Sequence, residues 1–167
     1  RNSKPVPIIE VLEAGEFVSR YAKNSDIRTD IPQYNIYKNG ELTETVSDIK
    51  KYWRDDFVTF LIGCSFTFEQ AILDAGISIK HIDEGRNVAM YKTNIETEPA
   101  GVFKGNTVVS MRPFKKSLVD KVTEITNEFP NMHGGPVHAG DPKEIGIRNI
   151  DKPDYGDSIE IAEDEVP

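Results

Sequence analysis

The stretch Trp53–Glu69, WRDDFVTFLIGCSFTFE, decides how the chain is read. Its first four residues, Trp53 to Asp56, are polar or amphipathic. The run Phe57–Ile62 is apolar and β-favouring, which predicts a buried strand. Gly63-Cys64-Ser65 follows as a small-residue turn. Thr67 and Gln70 have the spacing of a capping box, which predicts a helix running to about Ala75. Phe68, Ile72 and Ala75 then share one face, and Gly76 is a suitable left-handed terminator. A strand that feeds a helix through such a turn leaves free backbone N–H groups at the edge of a sheet, beside the positive end of the helix dipole. That is a favourable place for an anion.

Working outward, the segment before this stretch predicts an edge strand within Val6–Leu12, because Pro5 and Pro7 cannot donate to a central ladder. Tyr34–Tyr37, Asn39-Gly40 and Glu41–Val46 read as a β-hairpin, with Asn-Gly supplying the positive φ angles of a type I′ turn. Ser47 or Asp48 caps a short helix leading to Trp53. Beyond the central stretch, Ile77–Ile82 alternates like a strand. Asp83–Asn87 is a turn, Val88–Lys92 a second strand, 93–105 a loop and Thr107–Met111 a further strand. The clearest helix covers about 116–128: Leu118, Val122, Ile125 and Phe129 follow the helical period, and Pro130 ends it. Asp141-Pro142-Lys143-Glu144 has the order of a capped short helix. The alternation of strands and helices predicts an α/β fold, a mixed α/β sheet with helices packed on it, with room for a small α+β subdomain near 78–112.

The 167 residues suffice for one domain with a real core, and 38% hydrophobic with 29% charged residues is a globular composition. A net charge of −8 argues against nucleic acid or an anionic membrane as partner. No stretch is apolar for long enough to span a bilayer. The single cysteine excludes an internal disulfide and a cysteine-rich zinc site, and points to a reducing, cytoplasmic setting. The chain opens on Arg1 without methionine and closes on the acidic EIAEDEVP, as a fragment of something longer would.

Several residues are suited to chemistry. Cys64, near a helix start, is either a nucleophile or a small residue packing the turn. Ser65 offers a hydroxyl and an amide at the same place. Arg86 and Asn87 fit a substrate carboxylate and amine, with Glu84 nearby, or else form an ordinary surface turn. Arg112, closing an apolar strand, is a second anion binder or a rim ion pair. His133 and His138 flank a glycine-rich loop that permits close backbone approach to a ligand, and histidine is the usual acid or base near neutral pH. With Asp141 they are also of metal-ligand type, but their spacing is no strong metal signature. His81 falls in a predicted strand, where a structural role is favoured. The chain lacks a P-loop, a G-x-G-x-x-G and a G-x-S-x-G, which disfavours kinases, ordinary dinucleotide enzymes and α/β-hydrolases.

DIRTDIPQYNIYKNGEL (26–42), WRDDFVTFLIGCSFTFEQAILDAGI (53–77), HIDEGRNVAMYKTNI (81–95), GNTVVSMRP (105–113) and PVHAGDPKEIGI (136–147) together resemble the bacterial hydro-lyase family related to the D-glutamate cyclase of animal mitochondria. The resemblance covers nearly the whole chain, in order. It implies that the amine of D-glutamate attacks its own side-chain carboxyl, giving 5-oxo-D-proline and water. Such a reaction asks for an anchor for the α-carboxylate, Arg86 or Arg112. It asks for a base, His138 or Glu84, and for an acid for the departing hydroxyl. The amides of Gly63-Cys64-Ser65 would face the oxyanion. Cys64 could instead form a thioester, although a tethered amine already has a large effective molarity. Thus Cys64, Glu84 and His138 are the catalytic candidates, and Ser65, Arg86, Asn87 and Arg112 the substrate-binding ones. No cofactor is required, with a divalent cation left open. The expected partner is a small amino acid or carboxylate, in a monomer or a homo-oligomer. The alternatives are a dehydratase of another small acid, and a non-catalytic carboxylate-binding or regulatory module linked to oxoproline or amide metabolism.

Overall fold

The computed structural model describes residues 1–167. The chain divides into two compact units, one formed by Ile8–Ile62, the other by Arg1–Pro7 with Gly63–Pro167. Residues 78–112 fall within the second.

In the first unit, β1 (Ile8–Leu12), β2 (Tyr34–Lys38), β3 (Glu41–Val46) and β4 (Thr59–Ile62) form two antiparallel ladders, β1 with β4 and β2 with β3. The second ladder is the predicted hairpin. Asn39 and Gly40 take φ values of 52° and 84°, as a type I′ turn demands. Asp48 accepts from the Lys50 amide at 2.6 Å, but the 3₁₀ turn Lys50–Tyr52 has Ile49 at its N-cap position and no side-chain cap, so the cap expected at Ser47 or Asp48 does not form. The run Phe57–Ile62 departs from expectation. Only its last four residues form a strand, and Phe60 and Ile62 are 54% and 52% exposed. Its only strand neighbour is β1, paired from Leu12↔Thr59 to Ile8↔Ile62, so apolar content here does not produce a central buried strand.

The second unit contains α1 (Phe66–Asp74), α2 (Lys80–Asp83), β5 (Ala89–Glu96), β6 (Asn106–Met111), β7 (Phe114–Lys115), α3 (Val119–Asn127) and β8 (Glu165–Val166). β5 pairs with β6 and β7 with β8, both antiparallel. The mixed α/β class holds, but the strands are divided among four two-stranded ladders rather than sharing one sheet. One core cluster joins Phe68 and Ile72 of α1 to Ile77, Ile79 and Val122. Leu118, Ile125 and Phe129 pack against it, so the predicted apolar face of α3 is the buried one. A second cluster joins Ala89, Tyr91 and Met111 of the β5–β6 ladder to Ile147 and Ile159.

Two local expectations fail for identifiable reasons. Ile77 and Ile79 alternate into the core, and Ile79 is extended, but no strand pairs with this segment and the chain turns into α2 instead. The Thr67–Gln70 capping box does not form. Ser65 occupies the N-cap position without a capping hydrogen bond, and Gln70 donates to Asp74 at 2.7 Å. Further along, Gly156 has φ 74°, and a Cβ there would stand 2.0 Å from the Val88 carbonyl oxygen, so only glycine lets this turn approach β5. No helix is long and apolar enough to cross a membrane.

Candidate functional site

A cavity of about 310 Å³ opens in the second unit. Its walls come from the start of α1, from β6 through Arg112, from α3, from the loop 133–140 and from Lys4-Pro5. Most of the lining is apolar. Its charged and titratable side chains are Lys4, Arg112, His133 and His138, and none of the chain's 28 aspartates and glutamates lines it. In a protein of net charge −8, that distribution suits an anion.

Arg112 is fixed from behind. Its Nε donates to Glu69 Oε1 at 2.7 Å, and its Nη2 donates to the same oxygen. Nη1 donates to Ser110 Oγ at 2.9 Å and Nη2 to Ser65 Oγ at 3.2 Å. The two charged side chains are 7% and 8% exposed. Burial pulls the guanidinium below its ordinary value, and Glu69 pulls it back. A guanidinium is so strong a base that, with Glu69 beside it, it stays charged here. Glu69 Oε1 also lies 3.4 Å from Nε2 of the buried His81. Burial holds the His81 imidazole below its usual value, Glu69 opposes this, and Arg112 reinforces it. His81 is therefore a neutral ring behind the ion pair near neutral pH.

This network explains the missing cap on α1. Ser65 Oγ serves as acceptor for Arg112 rather than for an α1 amide, which leaves its own proton available to a ligand. The amides of Cys64 and Ser65 have no partner within the chain. Gly63 is required by packing, since a Cβ there would stand 2.7 Å from both the Asn131 carbonyl oxygen and the Met132 sulfur.

The loop opposite carries the histidines. His133 has φ 77°, and its Nδ1 lies 2.8 Å from the Lys4 carbonyl. His138 Nε2 lies 2.9 Å from the Asp141 carbonyl. A carbonyl only accepts, so the neutral ring carries its proton on Nε2 and keeps a basic lone pair on Nδ1. Asp141 caps the predicted short helix, here a 3₁₀ turn over Pro142–Ile145, by accepting from the Lys143 amide at 3.0 Å. No three His, Cys, Asp or Glu side chains converge as metal ligands would.

Of the residues singled out in the sequence, Ser65, Arg112, His133 and His138 meet at this cavity. Cys64 is exposed and does not line it, although it adjoins Ser65. Glu84, Arg86 and Asn87 lie elsewhere. Arg86 pairs with Glu84 at 3.2 Å and donates to the Ser158 carbonyl at 2.6 Å, and Asn87 binds Asp157 through its amide nitrogen and side chain. Their bonds hold the turn before β5 to residues 157 and 158. Glu69 was not singled out. Its signal in the sequence is a carboxylate next to Phe68 and one turn before Ile72, on the face that must be buried.

The model of the D-glutamate cyclase family matches residues 58–167, the segment that supplies every wall of the cavity except Lys4 and Pro5. The chain belongs to the D-glutamate cyclase family. This family member is 57% identical over 168 residues to a Thermoanaerobacter sp. (strain X514) protein called "Putative hydro-lyase Teth514_1597", an alignment spanning the whole of this chain and 63% of that protein. It is also 57% identical to "Putative hydro-lyase YcsI" of Bacillus subtilis (strain 168), over all of this chain and 65% of the relative. A "Putative hydro-lyase" of Stutzerimonas stutzeri (strain A1501) is 51% identical over the same extent of this chain and 63% of its own length. The D-glutamate cyclase-like chain thus spans a little under two thirds of the curated relatives it matches.

Proposed function

We propose that this chain forms the substrate cavity of an enzyme that closes D-glutamate to 5-oxo-D-proline with release of water. The observation that carries the reading is that the segment matched by the cyclase family builds most of a largely apolar cavity whose few charged side chains are basic, with no acidic side chain in its wall.

The chemistry assigns the groups. The substrate amine must lose a proton before it attacks, and the free Nδ1 of His138 suits that task. Attack on the side-chain carboxyl places negative charge on oxygen, and the unpartnered amide and the hydroxyl of Ser65, both in the cavity wall, suit that charge. Arg112 stands beside them, already neutralised by Glu69. A carboxylate held by a full, unshared positive charge is a poor electrophile. A shared guanidinium orients the reacting carboxyl without locking it as the anion. Of the three ammonium protons, one remains on the lactam nitrogen and two leave with a carboxylate oxygen as water. Catalysis is mainly placement, because the two reacting groups belong to one molecule and a folded-back conformer confers a large effective molarity.

The test is incubation of the full-length protein with each enantiomer of glutamate, with chiral detection of 5-oxoproline. The expected result is the D-product, with no solvent deuterium at carbon, since no C–H bond breaks. Absence of product from folded protein with either enantiomer overturns the reading. Deuterium entry into the carbon skeleton of another acid would favour a dehydratase.

A further inference from the structure

We infer that Lys4 and the loop 135–139 form a second carboxylate subsite in the cavity, one that selects substrates with a carboxyl group at each end. This deepens the cyclase reading and rests on it only for the identity of the natural ligand.

Arg112 and Lys4 are the only lysine or arginine side chains in the cavity wall. Arg112 shares its charge with Glu69 and spends most of its donors on Glu69, Ser65 and Ser110. It also adjoins the turn proposed to face the reacting carboxyl, so the same site cannot hold the other carboxylate. Lys4 has no acidic partner anywhere in the chain. Its Nζ donates to the Gly135 carbonyl at 2.6 Å, which leaves two protons for a ligand. Its own carbonyl holds His133 Nδ1 at 2.8 Å. The residue is thereby bound to the loop twice, by side chain and by backbone.

The loop adds donors. The amides of Gly135, Val137, His138 and Ala139 have no partner within the chain, and all four residues line the cavity. Asn127 packs on Gly135 so closely that a Cβ there would stand 2.2 Å from Asn127 Oδ1, which fixes the loop against α3. An ammonium group beside several unpaired amides is an arrangement that takes a carboxylate. His138 belongs to the same loop. An α-carboxylate at Lys4 therefore brings the α-amine, carried on the neighbouring carbon, towards the loop that holds the proposed base.

The experiment is calorimetric titration of the full-length protein with glutarate and with butyrate. Neither has an amine, so neither can cyclise, and binding is read apart from turnover. Lys4→Met is expected to weaken glutarate about tenfold or more, the loss of one charge-assisted contact. It should change butyrate about twofold or less, and Lys4→Arg should keep most of the glutarate affinity. The inference is overturned if folded wild-type protein does not distinguish glutarate from butyrate, if Lys4→Met binds glutarate as wild type does, or if it loses both ligands alike. A protein that selects glutarate through Lys4 but leaves D-glutamate unchanged would refute the cyclase reading and keep the subsite.

Discussion

The Glu69 carboxylate meets the Arg112 guanidinium with both side chains more than nine-tenths out of water. Such a pair costs much desolvation, and its attraction offsets that cost only when the remaining donors are also satisfied. Here Ser65 and Ser110 take them. Removing one partner leaves the other charge buried and alone. Glu69→Ala is therefore expected to lower unfolding stability by about 3–5 kcal/mol. The double variant Glu69→Met with Arg112→Met should lose much less than the sum of the single changes. Urea titrations of wild type, Glu69→Ala, the two single methionine variants and the double variant check this, and additive losses would show that the pair is not coupled.

His81 makes stability depend on pH. Its folded-state value is depressed, chiefly by burial. Above the unfolded value, about 6.5, both states are neutral and the residue costs nothing. As pH falls below that, the unfolded chain takes up a proton that the folded chain resists, so stability drops until the folded value is passed. The urea midpoint should fall between pH 7.5 and pH 5.5, and His81→Gln should flatten that slope. Glu69, Arg112 and Asp83 face the ring, and only Arg112 adds to the depression. Asp26, held at about 2 mainly by its hydrogen bonds to Arg28, loses its contribution only in much stronger acid.

The parts of this molecule that are local in sequence are the parts the sequence makes legible. Asn39-Gly40 dictates its hairpin, Asp141 caps its short turn, and Leu118–Phe129 shows its buried face, because each is settled within a few residues. The failures are tertiary. Phe57–Ile62 is apolar enough for a central strand, but burial depends on how many strands adjoin it. Ile77–Ile79 has a strand's alternation without a ladder partner. At the site, Ser65 and Arg112 were visible as residue types, whereas their joint dependence on Glu69 was not, since 43 residues separate the two charges. Arg86 and Asn87 have the right chemistry for a substrate, but their hydrogen bonds go to residues 157 and 158, which no local pattern reveals.

Cys64 separates a backbone mechanism from a thiol mechanism. Its side chain is exposed and outside the cavity wall, while its amide adjoins Ser65. Cys64→Ser keeps the amide and removes the sulfur. Turnover of D-glutamate is expected to stay within about threefold of wild type, since the amide donor is unaltered. A native-state thiol titration should meanwhile label the wild-type residue without unfolding. Loss of turnover with the fold intact, together with a trapped acyl-thioester, would instead establish the sulfur as nucleophile.

His138 carries the heaviest demand on the proposed chemistry. The Asp141 carbonyl fixes its tautomer, so the lone pair on Nδ1 is the one basic site of the neutral ring. His138→Gln leaves a polar side chain of similar size that can still bond near Asp141 but cannot take up a proton. If the ring deprotonates the substrate amine, kcat should fall by about 10²–10⁴, the usual range for losing a general base. Glutarate affinity should change little, because the charge that binds it is elsewhere. Activity of the variant should also recover in part as pH rises, because more of the substrate amine is then neutral without help. A variant that loses glutarate binding in proportion to kcat, with no recovery at high pH, would place His138 in the binding of the substrate rather than in its deprotonation.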